Sequence, residues 1–572
     1  MTNIKNLLTE HMAIWTAADT EKKSGRGRAS SNGNSVYGVK KLRELILELA
    51  VRGKLVSQDP NDEPASELLK RIQAEKAKLI AEGKLKKEKP LAPIGQDEKP
   101  FELPQSWEWA RLSDLVNILN GRAYKKEELL SEGTPVLRVG NLFTSESWYY
   151  SNLELEENKY CNRGDLLFAW SASFGPFIWE GEKSIYHYHI WKLDFYAADL
   201  LYKRFLYTFL LEQTQKIKSS GHGVMMIHMT KEAMERLVVY LPPLAEQHRI
   251  VAKVDELMAL CDQLEQQHSN AQEAHETLVS QLLATLTQSQ NAEEFNANWQ
   301  RIYAHFDVLF TTEASIDALK QTLLQLAVMG KLVPQDPNDE PASELLKRIQ
   351  AEKVKLIAEG KLKKQKPLTP IGEDEKPFEL PKGWEWVRLA STGITSTGGT
   401  PKTSDTHMFG GNIPFIGPGQ ISPAGELLEA EKYLTEDGIA QSTLAESGDI
   451  LMVCIGGSIG KTLLVNERLT FNQQINCVKP VLVNSSYLNC MMNSINFQQE
   501  LLLNATGSAT PIINRSKWDE LLVALAPLEE QHRIVAKVNA LMALCDQLKT
   551  RIQQANQQQQ AIADALVVQA VA

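Results

Sequence analysis

The sequence predicts an α+β protein in which two α/β globular domains are joined by long helices and related by an internal pseudo-two-fold repeat. Three observations support this fold class. Near-identical blocks at residues 55–112 and 332–389 differ at only 8 of 58 positions. A second segment recurs at residues 243–264 and 527–548, with 19 of 22 positions identical. The sequences between these repeats share little, so each half consists of a constant block, a variable segment and a constant helix.

Length and composition favour a soluble protein of several domains. A chain of 572 residues is too long for one ordinary core and indicates two to four domains. No run reaches 18 apolar residues, and the N-terminus mixes charges into its apolar positions, so we expect neither a membrane span nor a secretory signal. The six cysteines form no C-x-x-C pair. The predicted compartment is therefore the cytoplasm.

The repeats set the predicted domain boundaries. They are a mobile N-terminal segment at 1–37, a constant region at 38–112, a first variable domain at 113–242, a central helix and connector at 243–312, the repeated constant region at 313–389, a second variable domain at 390–526 and a C-terminal helix at 527–572.

The constant helices carry an apolar seam. Spacings of 4, 3, 4 and 3 separate the members of the first seam, and the second has the same period; the members are Ile250, Val254, Leu257, Cys261 and Leu264, then Ile534, Val538, Leu541, Cys545, Leu548, Ile552 and Ala555. Such spacing is typical of a coiled coil, although one copy alone would also fit an ordinary core helix. We expect the first helix to reach about residue 287 and the second to run to near the C-terminus. A helix of this kind, with ~40 residues, is about 60 Å long.

Each constant block predicts a further helix and a linker. Ser66 and Ser343 are the N-cap candidates of these helices, and Gly83 and Gly360 lie near their ends. The Lys- and Pro-rich sequence that follows is typical of an extended linker.

The variable domains contain short β-like runs broken by Gly, Pro and Asn, which favour compact α/β folds. Their sequence motifs give no catalytic, metal or cofactor site. GGSIGKT lacks the first glycine of a phosphate loop, and FIGPG fits a methyl-donor motif only weakly. The carboxylates of QDEKP and EDEKP lie in Pro-flanked linkers, and the histidines lack metal-ligand spacing. The motifs therefore predict no catalytic set, no metal site and no cofactor.

The remaining candidates are polar side chains in Gly-rich turns, which suit base edges and phosphates. Any one of them taken alone is more simply a solvated loop residue. The candidate DNA-binding residues are Arg122, Tyr124, Lys125, Lys126, Arg138, Asn141, Ser171 and Ser173 in the first variable domain, and Thr400, Lys402, Gln420, Ser458, Lys461, Gln473, Arg515 and Lys517 in the second.

These features together resemble the specificity subunit of a type I restriction-modification enzyme. The motifs that carry the resemblance are the LPPL-x-EQHRIV-x-K-V helix start, which recurs with LAPL in place of LPPL, TSTGGTPKT at 395–403, GDLLFAWSASFG and GDILMVCIGGSIGKT. The resemblance covers nearly the whole chain. It implies that each variable domain is a target-recognition domain for half of a bipartite DNA site, and that the constant helices form an antiparallel coiled coil.

The resemblance also implies partners. Two methyltransferase subunits would bind the constant regions, and motor-nuclease restriction subunits would complete the complex with double-stranded DNA. Because EQHRIVAKV is kept in both halves, we expect it to meet identical partners twice. The partner-contact candidates, taken to face solvent, are Gln247, His248, Arg249 and Lys253 in the first copy and Gln531, His532, Arg533 and Lys537 in the second.

The charge balance complicates DNA binding. The net charge is −10, and residues 113–242 hold 16 acidic and 14 basic side chains, a net charge of −2. Local basic clusters must then meet the phosphates, with further cations supplied by partner subunits. The alternative function is an interaction scaffold with two ligand-binding domains on a coiled coil.

Overall fold

The computed structural model describes residues 11–17, 36–87, 91–143, 145–171, 174–219, 229–290, 292–360, 367–507 and 510–571. The chain divides into two compact units. Unit 1 comprises Met1–Ala271 with Ala555–Ala572, and unit 2 comprises Gln272–Gln554. We call residues 113–242 of unit 1 head 1 and residues 390–526 of unit 2 head 2.

The regular elements are numbered along the chain. The helices are α1 Met12–Ala17, α2 Tyr37–Val51, α3 Ala65–Ala81, α4 Leu112–Leu115, α5 Val139–Phe143, α6 Lys203–Ser219, α7 Lys231–Glu235, α8 Leu244–Gln288, α9 Ala292–Ala304, α10 Phe306–Leu309, α11 Glu313–Val328, α12 Ala342–Ala358, α13 Glu436–Ala440, α14 Ser485–Met492, α15 Ile495–Asn504, α16 Arg515–Asp519 and α17 Leu528–Val571.

The strands are β1 Glu108–Arg111, β2 Val116–Asn120, β3 Thr134–Leu137, β4 Tyr149–Ser151, β5 Tyr160–Cys161, β6 Leu166–Ala169, β7 Gly175–Ile178, β8 Ser184–Tyr186, β9 Ile190–Phe195, β10 Val238–Leu241, β11 Glu385–Arg388, β12 Gly393–Thr397, β13 Phe409–Ile416, β14 Lys432–Leu434, β15 Thr443–Ala445, β16 Ile450–Val453, β17 Thr462–Leu464, β18 Leu469–Phe471, β19 Ile475–Pro480 and β20 Leu522–Leu525.

Head 1 is built on two four-stranded sheets, with strand orders β2-β9-β6-β7 and β4-β3-β8-β5. The first is antiparallel throughout, whereas β3 and β8 of the second run parallel. All four residues of β6 are apolar and buried, so this strand is covered on both faces, and β9 buries Ile190, Trp191 and Leu193. A two-stranded ladder of β1 and β10, in register from Glu108 opposite Leu241 to Arg111 opposite Val238, joins the two chain ends of the head.

Head 2 has the same topology. Its sheets have the orders β12-β19-β16-β17 and β14-β13-β18-β15, and the ladder of β11 and β20 joins its ends. Each strand of head 2 therefore has its equivalent ten strands earlier. Because the two variable segments share little sequence, this equivalence shows that the duplication extends through the heads. The predicted α+β fold class with an internal pseudo-two-fold repeat is confirmed.

The long helices extend as the seam predicts. Helix α8 ends at Gln288 and α17 at Val571. In unit 1 the seam residues from Ile250 to Leu264 are buried in one core that also holds Ala563 of α17. In unit 2, Cys545 is buried in a core shared with Val279 and Leu286 of α8. Each core thus combines the beginning of one long helix with the end of the other, the arrangement that an antiparallel pair requires. Ala555 is exposed, so the prediction that it belongs to the seam was wrong.

A third helix packs beside the long helices in each unit, which the seam did not predict. In unit 1, α2 buries Leu42, Ile46 and Leu49 in the same core, and Arg43 pairs with Asp262 at 2.6 Å. In unit 2, α11 occupies the corresponding place. There it buries Leu319, Leu323 and Leu326, and Lys549 lies 3.0 Å from Asp317. The seam therefore forms one face of a small helical bundle, with ion pairs at its surface.

The helices of the constant blocks start two residues earlier than expected. Their N-caps are Pro64 and Pro341, so the assignment of Ser66 and Ser343 as N-caps was wrong. Proline is tolerated at this place because its missing N–H costs no hydrogen bond within the helix. The ends fit the prediction, since Gly83 follows α3 with a φ of +72° and terminates the helix in the left-handed region.

The N-terminal segment 1–37 was expected to be mobile. Its described part includes α1, whose Trp15 is fully buried against the core of unit 1. A buried indole ties this short helix to α2 and corrects the expectation for residues 12–17. The segment 22–34 lies outside the described residues. Within the described part of the chain, no helix combines the length and apolarity needed to cross a membrane.

Candidate nucleic-acid interface

The turns that follow β2, β3, β6 and β8 of head 1 meet at one edge of its sheets. The pairing registers bring together Asn120 with Trp191, Ala169 with Ile190, and Leu137 with Tyr186. Side chains that lie far apart in sequence thus come to share this edge. We call it the loop edge of head 1.

Backbone hydrogen bonds fix the loop edge around the segment between β8 and β9. The Arg122 N–H donates to the carbonyl of Tyr186 (3.1 Å), and the His187 N–H donates to that of Leu137 (2.9 Å). The Trp170 N–H donates to the carbonyl of His189 (3.1 Å). Hydrogen bonds from three separate turns therefore fix the backbone of this segment.

The turn after β2 carries the first cluster of predicted residues. Arg122 makes a two-bonded ion pair with Glu128 at 2.7 and 3.1 Å and lies over the ring of Tyr124. Burial raises the pKa of Tyr124 above its usual value, so this hydroxyl stays protonated. Lys125 and Lys126 are exposed. Hence the two lysines offer charge to a phosphate, whereas the Arg122 guanidinium already has an anionic partner.

Arg138 directly follows β3, and Asn141 lies in the short helix α5 that comes next. The Arg138 guanidinium lies 4.3 Å from the centre of the Tyr149 ring, and its Nη2 donates to the carbonyl of Ser147 (3.1 Å). The Asn141 side chain accepts from the Arg138 N–H and donates to Ser147, so it stabilises the turn. Ser171, after β6, is buried. Ser173 lies outside the described residues.

Head 2 builds an equivalent loop edge. Here the Gly399 N–H donates to the carbonyl of Phe471 (3.0 Å), the Asn472 N–H to that of Ile416 (3.0 Å), and the Cys454 N–H to that of Gln474 (2.9 Å). These bonds correspond one by one to those of head 1. The turns after β12, β13 and β16 therefore converge on residues 472–474.

Most predicted residues of head 2 lie in these turns. Thr400 donates its hydroxyl to Gln473 Oε1 (2.5 Å), and Lys402 is exposed nearby in the same turn. The Gln420 side chain accepts from the Gly417 N–H at 3.0 Å. Lys461 donates to the carbonyl of Ile421 (3.2 Å) and so connects the turns after β16 and β13.

Of three further predicted residues, one lies on the loop edge and two lie in helix α16. Ser458 ends a short 3₁₀ turn after β16, on the loop edge. Arg515 and Lys517 belong instead to helix α16, where Arg515 donates to the Thr395 hydroxyl beside the middle of β12 (3.1 Å) and Lys517 donates to the carbonyl of Asn504 (3.1 Å). The structure thus places these two cations away from the turns that converge on the loop edge.

The sequence analysis missed the aromatic and histidine cluster of head 1. His187, Tyr188 and His189 pack ring against ring, with centroids 3.9 to 4.9 Å apart, and the indole N–H of Trp170 donates to the carbonyl of Tyr188 (2.8 Å). Burial, with the nearby charges of His189 and Arg138, lowers the pKa of His187 to about 4. Its imidazole is therefore neutral at pH 7. The only signal in the sequence was a polar stretch between two apolar strands.

The partner-contact candidates at the helix starts are engaged within their own units. Gln247 and Gln531 are fully buried, so the expectation that they face solvent was wrong. The amide of Gln247 bonds the main chain at both ends, because it accepts from the Tyr202 N–H (2.8 Å) and donates to the Pro242 carbonyl (3.0 Å). Gln531 makes the same two bonds to the main chain of unit 2. A buried amide satisfied in this way is a structural residue.

The arginines and the preceding glutamates lock each helix start to its constant block. Arg249 pairs with Asp62 at 2.6 Å, and Arg533 with Asp339 at 2.7 Å. Glu246 accepts hydrogen bonds from the Trp107 indole (3.0 Å) and from the Gln58 amide. Burial raises the pKa of Glu246 above its usual value, and these two hydrogen bonds oppose the rise. Of the repeated residues, the glutamate and the arginine therefore bind the neighbouring constant block, which was not predicted from the sequence.

Four candidates keep accessible polar ends. His248 is exposed with its ring 4.0 Å from that of Tyr202, and His532 is exposed beside the Asn484 amide. Lys253 is half-buried beside Glu256, and Lys537 is exposed.

The linker carboxylates of QDEKP and EDEKP also have structural partners. Arg111 binds Glu98 through two hydrogen bonds of 2.6 and 2.8 Å, and Arg388 binds Glu375 through two of 2.8 and 3.0 Å. The hydrogen bonds from Arg111 lower the pKa of Glu98 to about 2. Among the described residues, no three His, Cys, Asp or Glu side chains are grouped to hold a metal ion.

Comparisons of the sequence with known proteins identify its family. The family model for the type I restriction modification DNA specificity domain matches residues 104–273 and 381–557. The chain therefore belongs to the family of type I restriction-modification specificity subunits.

Particular relatives agree with this assignment. The chain is 40% identical to the specificity subunit of the type I restriction enzyme EcoAI from Escherichia coli, over 100% of both chains. It is also 40% identical to the EcoEI specificity subunit from Escherichia coli, over 98% of this chain and 99% of that protein. A chain in a solved structure of the type I R-M system has 17% identity, covers 82% of this chain and 99% of its own length, and has a TM-score of 0.46.

Proposed function

We propose that this specificity subunit binds an asymmetric bipartite site in double-stranded DNA, with one half of the site read by each head, and performs no catalysis itself. The observation that carries the proposal is the pair of equivalent loop edges, which present different polar side chains on the same backbone framework. Equivalent frameworks would approach DNA in the same way. Different side chains would then select different bases.

The proposed contacts divide into two kinds. Lys125, Lys126 and Lys402 are exposed cations on the loop edges and would bind phosphates. Arg122 and Arg138 are held by Glu128 and by the Tyr149 ring, so they would meet DNA in fixed orientations. A guanidinium that is already oriented loses less conformational entropy when it binds a phosphate or a guanine edge.

The complete complex would add methyltransferase subunits, of which we propose two, and restriction subunits that cleave DNA. Residues 113–242 have a net charge of −2, so the isolated chain would bind DNA weakly in physiological salt. His248 and Lys253, with His532 and Lys537, are the remaining duplicated candidates for contact with the methyltransferase. We place the complex in the cytoplasm, where its DNA substrate is found.

Exchange of one head tests the proposal. Residues 113–242 would be replaced by the corresponding segment of a relative, and the methylated motif would be determined by methylome sequencing of cells that express the complete complex. We expect one half of the motif to change while the other half stays the same, and the reciprocal exchange of residues 390–526 to change the other half. A change in both halves from one exchange, or in neither, would refute independent reading by the heads.

A further inference from the structure

The segments between β8 and β9 and between β18 and β19 are equivalent tripeptides at the centres of the two loop edges. They are His187-Tyr188-His189 in head 1 and Asn472-Gln473-Gln474 in head 2. In both, the middle residue is exposed and its two neighbours are half-buried, while the residues on either side of the tripeptide are buried. The two heads therefore present the same three positions to solvent in the same order.

The backbone of each tripeptide is held by equivalent hydrogen bonds. Besides the three bonds to neighbouring turns, the Ile190 N–H donates to the His187 carbonyl (2.9 Å), and the Ile475 N–H donates to the Asn472 carbonyl (3.2 Å). None of these bonds uses a tripeptide side chain. These equivalent bonds are thus independent of the side chains, all three of which differ, and in head 2 Asn472 Oδ1 adds one further bond by accepting from the Gln474 N–H (3.0 Å).

The chemistry of the two tripeptides is different. In head 2, all three side chains are amides; Gln473 Oε1 accepts from the Thr400 hydroxyl, and the Asn472 amide donates to Gln474 Oε1 (3.2 Å). These contacts orient the amides. A primary amide can donate and accept at once, which matches the N7 and N6 groups of adenine in the major groove. In head 1, the same positions carry two imidazoles and a phenol, which offer single donors and acceptors with large ring faces.

We propose that these two tripeptides determine which bases each head selects, and that the amide tripeptide at residues 472–474 reads an A·T pair in its half-site. The inference rests on the proposed function, since it assigns specificity within the loop edges. The surrounding lysines and arginines would set the position of the head on the DNA, and the tripeptide would supply the choice of base.

The test uses the complete complex with its methyltransferase subunits and a DNA library in which both half-sites are randomised. The unsubstituted complex defines the preferred motif. Gln473→Glu keeps the size of an exposed side chain but replaces its amide donor with a second acceptor. We expect the preference for A·T at one or two adjacent positions of one half-site to fall by roughly tenfold, with the other half-site unchanged.

A triple substitution tests head 1 in the same assay. His187→Asn, Tyr188→Gln and His189→Gln together place the amide tripeptide on the framework of head 1. We expect the opposite half-site from that affected by Gln473→Glu to change. The matched control is Glu446→Gln, which alters an exposed carboxylate at the opposite end of the sheet, paired with Lys479. This control should leave both half-sites as they were.

Failure of the inference can be distinguished from failure of the proposed function. If the unsubstituted complex selects no bipartite motif, the proposed function is wrong. If it selects one and Gln473→Glu leaves every position unchanged, the heads still read DNA but the tripeptide does not. An equal change in the Glu446→Gln control would also overturn the inference, because the effect would not be local to the loop edge.

Discussion

Replacement of Glu530 by alanine should destabilise unit 2 by about 3 kcal/mol. This buried carboxylate accepts hydrogen bonds from the Trp384 indole (2.9 Å) and from the Gln335 amide (3.1 Å). A hydrogen bond to a charged group contributes about 1.5–3 kcal/mol, so the two bonds together contribute about 3–6 kcal/mol. Burial raises the pKa of Glu530, which means that the charged form pays for desolvation. Relief of that cost places the net loss toward the lower end of the range.

The adjacent glutamate provides a matched control. Glu529 lies on the same first turn of α17 but is exposed, so Glu529→Ala removes a charge of the same sign without breaking a buried contact. We expect it to change the stability by less than about 1 kcal/mol. Urea unfolding monitored by tryptophan fluorescence measures both variants. Equal free energies of unfolding for the two alanine variants would refute the view that the carboxylate holds the helix start to its constant block.

Three further predictions concern stability. The pKa of Glu98 is lowered from the usual 4.5 to about 2, so the ionised carboxylate should contribute fully to the free energy of unfolding above pH 4.5, and this contribution should be lost as the pH falls toward 2. The urea unfolding midpoints of the wild type and of Glu98→Gln should therefore converge over that pH interval. Gly330→Ala should lower the unfolding temperature more than Gly360→Ala does. Both glycines have a positive φ, but only at position 330 would the new Cβ lie 2.5 Å from a proline ring. Ile534→Ala should cost about 2–5 kcal/mol by creating a cavity in a fully buried seam, whereas Leu544→Ala, at an exposed position, should cost less than about 1 kcal/mol; urea unfolding compares them.

The parts of the fold that follow from local periodicity could be predicted from the sequence. The seam from Ile250 to Leu264 fixes which face of α8 is buried, and the repeat then places a similar face on α17. The third helix of each bundle could not be predicted in the same way. Leu42 and Leu319 lie on helices separate from the seams, so the spacing of residues within a seam does not predict that they contact it. Only the folded chain shows that α2 and α11 pack beside the seams.

The sequence predicted which types of residue form the candidate site, but it did not predict how those residues contact one another. Gly-rich turns with Lys and Arg indicated a binding surface, but Arg122 and Arg138 proved to be held by Glu128 and Tyr149. The convergence of the turns on His187 and Gln473 depends on sheet pairing between distant strands, which short-range patterns do not reveal. Gln247 was misassigned because a glutamine in the first turn of a helix normally faces water, whereas here its amide bonds two main-chain groups.

The two-stranded ladders have a consequence for how such proteins diversify. The two chain ends of each head are joined by four residue pairs, which in unit 1 connect Glu108–Arg111 with Val238–Leu241. Its ends are thus held at a fixed separation whatever the chain does between them. Genetic recombination within the near-identical flanking sequences would insert a foreign cassette at this point, provided that the cassette keeps the apolar face of α6 that packs in one core with α2 and α8. New recognition could then arise in a single event, without a series of destabilised intermediates.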